Sequence, residues 1–107
     1  MAKGFDPSEL MKQARGMKDQ MARIQESLKT RVVEAEAGGG AVKVFANCDG
    51  EVVGVKILPD AVDPEEVGML EDLIQVGVNA ALEKAKTIAD EEMGKVTGGL
   101  GGLGGLF

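Results

Sequence analysis

Lys12, Arg15 and Lys18 recur at every third residue near the start of the chain, and Arg23 and Lys29 continue the series. On a helix, cations at this spacing line one ridge. A ridge of fixed positive heads suits a polyanion: the arginine guanidinium forks onto a phosphate, and the lysines act as point charges. Contacts of this kind hold a protein on nucleic acid without reading its sequence. Gln13, Gln20 and Gln25 stand among these cations and have the donor–acceptor pair that reads base edges. Beside such a ridge glutamines more often meet only solvent. The plainer reading of the cations themselves is a solubilising helix face.

Other chemistries find little support. Histidine, tryptophan and tyrosine are absent, which removes the commonest general base, the commonest metal ligand and most stacking platforms. The acidic runs Glu65-Glu66, Glu71-Asp72 and Asp90-Glu91-Glu92 are adjacent in sequence. On a helix their carboxylates diverge, as a solvated face does, instead of converging on a proton or a divalent ion. Gly38-Gly39-Gly40 lacks the Lys-Ser/Thr and the following helix of a phosphate loop and reads as a hairpin turn. Cys48 is the only cysteine, so no internal disulfide or multi-cysteine metal centre is possible, and a passive thiol is expected. The expectation is a protein that is not an enzyme, with no catalytic, cofactor or metal site and no small-molecule substrate.

The elements that must carry these residues are legible. Asp6-Pro7-Ser8-Glu9 combines a capping aspartate, a proline suited to the first helical position and a capping-box glutamate. Behind it Leu10, Ala14, Met17, Met21, Ile24 and Leu28 repeat at intervals of 4, 3, 4, 3, 4. That is the seam of a coiled-coil-like contact, with the cations off it. Methionines at this period (Met17 and Met21, with Met11 beside them) are ordinary packing residues, although they would also suit an adaptable groove. The helix is expected to end between Ser27 and Thr30.

The period then changes to two, predicting strands over 31–37, 41–47 and 51–58. The glycine triplet separates the first two. Asp49-Gly50 separates the others and suggests a two-residue turn with both positions at positive φ. Val42, Val44 and Ala46 fall on one face, as do Val53, Val55 and Ile57. Phe45, Val52 and Leu58 fall opposite, so the sheet is expected to be greasy on both sides and to need cover from helices or a second chain. Asp63-Pro64-Glu65-Glu66 starts a second long helix with Leu70, Leu73, Ile74, Gly77, Ala81, Ala85, Ile88 and Ala89 inward, ending near Gly94. The fold class is α+β: α-β-β-β-α, a three-stranded antiparallel sheet and two long helices, dimeric. One domain over 1–97 is followed by a flexible Gly/Leu-rich tail over 98–107.

The 107 residues are 44% hydrophobic and 28% charged, an ordinary globular composition with a formal charge of −6. That average hides a segregation: residues 1–31 carry seven bases and four acids, whereas 64–107 carry three bases and eight acids. No apolar run reaches the ~20 residues of a membrane span, and the first residues lack an export signal, so a cytoplasmic protein with no membrane partner is expected.

Leu10-Met11-Lys12-Gln13-Ala14 followed by Met17, Met21 and Gln25 resembles the first helix of the YbaB/EbfC nucleoid-associated proteins. Val42-Lys43-Val44, the Asn47…Gly50 turn and Val55-Lys56-Ile57…Pro59 are similar to that family's strand pattern. Met69-Leu70-Glu71-Asp72-Leu73-Ile74 with Asn79-Ala80-Ala81 resembles its second helix. The likeness covers roughly residues 5–96. It implies a bacterial homodimer of cytoplasm and nucleoid that binds double-stranded DNA with little sequence preference, organising the nucleoid or modulating expression. Lys12, Arg15, Lys18, Arg23 and Lys29 are then the expected DNA contacts, diluted by Asp19 and Glu26. The heptad, the acidic half and the low pI speak for an alternative, a helical scaffold or protein-interaction module without nucleic-acid binding.

Overall fold

The structure is a computed structural model in which residues 6–98 are described. Helix α1 spans Pro7–Thr30, strands β1, β2 and β3 span Val32–Ala37, Val42–Asn47 and Val52–Ile57, and helix α2 spans Val67–Gly98. The strands form one antiparallel sheet in the order β1-β2-β3. This is the α-β-β-β-α order read from periodicity. Of the expected tail, only Gly98 is described, as the last residue of α2; the rest lies outside the described residues.

Helix α1 starts where its capping signals stand. Asp6 accepts hydrogen bonds from the Ser8 backbone N–H at 3.0 Å and the Ser8 hydroxyl at 2.8 Å. These bonds, the hydroxyl's first, hold the Asp6 carboxyl below the usual carboxylate range. The Asp63 motif behaves differently. Its carboxylate accepts from the Glu65 N–H at 2.9 Å, but it tightens a turn after the 3-10 turn Pro59–Ala61, and α2 begins four residues later at Val67. Nor does α2 stop near Gly94. That glycine is absent from the positive-φ positions, so it provides no left-handed cap, and the helix runs on to Gly98.

Core packing puts α2 across β1 and β2. Val42, Val44 and Ala46 of β2, Ala35 and Ala37 of β1, and Ala81 and Ala85 of α2 are all buried. The small residues on α2 allow close approach, most sharply at Gly77, where a Cβ would lie 2.9 Å from Val44 Cγ2.

Three expectations about the sheet need correction. A bulge between Phe45 and Ala46 sets Val52, not Val53, opposite Ala46, so Val52 joins the face of Val44 and Val55 and Val53 is the extra residue. The outer face is mixed, not uniformly greasy: Glu34, Glu36, Lys43 and Lys56 stand around a half-buried Phe45, with Val32 and Leu58 exposed at its margins. There Lys43 lies 3.6 Å from both Glu34 and Glu36 carboxylates. The β2–β3 turn also differs, since only Gly50 has positive φ, at +90°. Gly50 N–H donates to the Asn47 carbonyl at 3.2 Å, a tight turn closed by one left-handed residue rather than a two-residue loop. The buried Asn47 side chain accepts from the N–H groups of Asp49 and Glu51 at 3.1 and 2.9 Å and replaces the pairing the loop gives up.

Candidate nucleic-acid interface

Only the foot of α1 is built into the body. Leu28 is buried, Ile24, Met21 and Met17 are half-buried, and every residue from Pro7 to Gly16 is exposed. The heptad seam is therefore used at its C-terminal end alone, and Leu10, 48% exposed, has left the packed region. Cys48 fastens the foot: its backbone N–H donates to the carbonyls of Leu28 at 3.0 Å and Arg31 at 2.9 Å. The Cys48 thiol is buried and free. With 24 residues at ~1.5 Å rise, α1 is a rod of about 36 Å.

All five expected contacts sit on this rod and are exposed. At ~100° per residue, Arg23 returns to within about 20° of the azimuth of Lys12, and Lys29 to that of Lys18. Arg15 lies between the two rows, so the five heads form a band on the side of α1 away from the Met17–Met21–Leu28 seam. Lys12 to Lys18 spans about 9 Å of axis, and Lys12 to Lys29 about 26 Å. Lys29 is engaged by Glu26 at 3.4 Å; among the described residues no ion pair holds Lys12, Arg15, Lys18 or Arg23. Asp19 lies within the band one turn from both Arg15 and Arg23.

The second helix is different in kind. Lys84 donates to the Glu34 carbonyl of β1 at 2.9 Å, and Lys95 to the Glu92 carboxylate at 2.9 Å. Among the described residues no group of three or more histidine, cysteine and carboxylate side chains could hold a metal ion. No helix there is long and apolar enough to cross a membrane. Reading the chain as a string of cations missed the Arg31–Glu92 pair, 3.3 Å across 61 residues, which ties the foot of α1 to α2. Nothing in local spacing signals a contact that only the packing of two helices creates.

The chain is similar to known proteins. A model of the YbaB/EbfC DNA-binding family matches residues 3–100. A protein of Pelotomaculum thermopropionicum named nucleoid-associated protein is 50% identical over 104 residues, covering 97% of this chain and 98% of its own. One of the same name from Acetivibrio thermocellus is 49% identical over the full length of both, and one from Moorella thermoacetica is 52% identical over 87% of this chain and 89% of its own. A crystal structure of an uncharacterized Helicobacter pylori protein shares the fold, with a TM-score of 0.62 at 22% identity over 73% of this chain and 90% of that one.

Proposed function

The chain belongs to the YbaB/EbfC DNA-binding family, and from that premise we propose that it binds double-stranded DNA as a homodimer with low sequence specificity, in the nucleoid. The family is one of DNA binding and not of enzymes. One observation carries the reading further. The cations of α1 stand on a rod that leaves the body, and four of the five are held by no ion pair among the described residues. Lysine and arginine heads released from internal partners on a rigid rod can displace counterions from phosphates, which drives sequence-independent binding. DNA contact falls to Lys12, Arg15 and Lys18 first, with Arg23 and Lys29 extending the track.

Self-association is supported by β3. Helix α2 covers β1 and β2 and scarcely reaches β3, whose Val52 and Val55 stay 40% and 43% exposed on the core side. At the β1 edge the Glu34 carbonyl accepts from Lys84, and neither β1 nor β3 has a further strand beside it among the described residues. A second copy seated on β3 covers this surface and sets two basic rods on one particle, so both can engage one duplex.

The test is binding of unrelated duplexes across a salt series. If each subunit neutralises ~3 phosphates, log K falls against log salt with a slope of about −5. Replacing Lys12, Arg15 and Lys18 together by glutamine is expected to weaken binding to all duplexes alike and flatten that slope, whereas Lys86→Gln on α2 does neither. Unchanged affinity in the triple variant would leave the scaffold reading, for which the open Leu10–Ala14 stretch of seam is the supporting feature.

A further inference from the structure

We propose that Glu92 is a positioning residue for DNA binding: it engages Arg31 at the foot of α1 and Lys95 on α2, and so fixes the direction in which the basic rod leaves the body. The proposal rests on the reading of α1 as the DNA-contacting element.

One end of α1 is fastened and the other is not. The fastened end holds the buried Leu28, the half-buried Ile24 and the two carbonyls that receive the Cys48 N–H. Leu28 and the Cys48 bonds fix the C-terminal end of α1, while Met21 and Met17 further along are only half-buried and apolar contact is non-directional, so they hold the rod's bearing loosely. A charge-assisted hydrogen bond is directional. Arg31, the residue immediately after α1, places Nη1 3.3 Å from Glu92 Oε1, and Lys95 places Nζ 2.9 Å from the same oxygen. Lys95's hydrogen bond, ahead of Arg31's, holds the Glu92 carboxyl below the usual range and favours the charged form that both cations need.

Glu92 is distinct within its own run. Asp90 and Glu91 are exposed, whereas the Glu92 side chain is 25% exposed and lies against the α1 foot. Leverage makes a modest contact matter. Gln13 stands about 22 Å along the axis from Leu28, beyond the half-buried Met17, so a tilt of about 10° about Leu28 moves the rod there by about 4 Å. That matches the ~3.4 Å axial spacing of phosphates along one strand.

Charge and position make opposite forecasts for Glu92→Gln. Removing a negative charge favours DNA, so simple electrostatics gives tighter binding. Loss of the bearing gives weaker binding, expected at about two- to fivefold. The second readout is independent of DNA: spin labels at Gln13→Cys and Gln75→Cys in a Cys48→Ala background, diluted with unlabelled protein so that only distances within one chain are measured. Glu92→Gln and Arg31→Gln are each expected to broaden or displace that distance by about 4 Å at unchanged helix content, and Arg31→Lys to preserve it. An unchanged distance in both glutamine variants overturns the latch. A displaced distance with DNA affinity unchanged or improved overturns the proposal on its DNA side and leaves the assignment of α1 to the Lys12, Arg15 and Lys18 variant.

Discussion

Gly77 of α2 lies over Val44 of β2 so closely that a Cβ on the glycine would stand 2.9 Å from Val44 Cγ2 and 3.6 Å from Val42 Cγ1. Val42 and Val44 are fully buried, and their β-branched side chains are restricted at χ1. The separation of helix and sheet is set here, and with it the path of α2 toward the foot of α1.

Gly77→Ala is therefore expected to destabilise the protein by about 1–3 kcal/mol, although alanine is the better helix former. Gly16→Ala is the contrast: nothing lies within 4 Å of its Cβ position, so the helix-propensity gain of up to about 1 kcal/mol should emerge. Chemical denaturation of the two variants at one protein concentration checks the opposite signs.

Val55→Lys places a charge on the open face of β3 without touching the rod. Val55 is already 43% exposed, so the chain should fold while the proposed dimer dissociates. Light scattering is expected to show a species near the 11.1 kDa of one chain, and DNA affinity should drop because two rods no longer act together. A dimer that persists places the interface elsewhere.

Asp19→Asn removes the negative charge lying one turn from Arg15 and Arg23. It makes no ion pair among the described residues, so stability should move by no more than about 0.5 kcal/mol. DNA affinity at low salt is expected to rise by about two- to threefold, with the gain fading at high salt as exposed charges are screened. Titration of one duplex at two salt concentrations measures both.

Acid should loosen α1 at both ends. The Asp6 and Glu92 carboxyls lie below their ordinary values in the folded protein, Asp6 through the Ser8 bonds and Glu92 through Lys95 and then Arg31. For a depressed carboxyl the stabilisation is complete above its unfolded value and is lost as pH falls through its folded value. Protection of the first-turn amides of α1 should therefore decline only below the ordinary carboxylate range. Asp6→Asn keeps a capping oxygen and has no carboxyl to protonate, so that decline should disappear in amide exchange followed against pH.

The three strands and α1 were legible in the sequence to within a residue or two because their signals are local: a cap, a heptad and three runs of period two. The inward stripe of α2, with Gly77 at the close approach, was legible for the same reason, since a helix facing a sheet must repeat small and apolar residues at its own period. The cationic ridge was legible as a ridge; its freedom from internal partners was not, because that depends on how far α1 stands out from the body.

What the sequence determined by itself is the order of elements, the segregation of charge and the absence of histidine chemistry, since each follows from residue type and spacing along one chain. Only the tertiary structure decided the rest. The bulge at Phe45/Ala46 moved Val52 to the core face, because cross-strand register is a property of two strands together. Packing against the body consumed the heptad from Met17 to Leu28 and left Leu10 outside. The Arg31–Glu92 pair joins residues 61 positions apart, a distance at which sequence spacing carries no geometric information and only the packing of α2 beside the foot of α1 brings charge to charge.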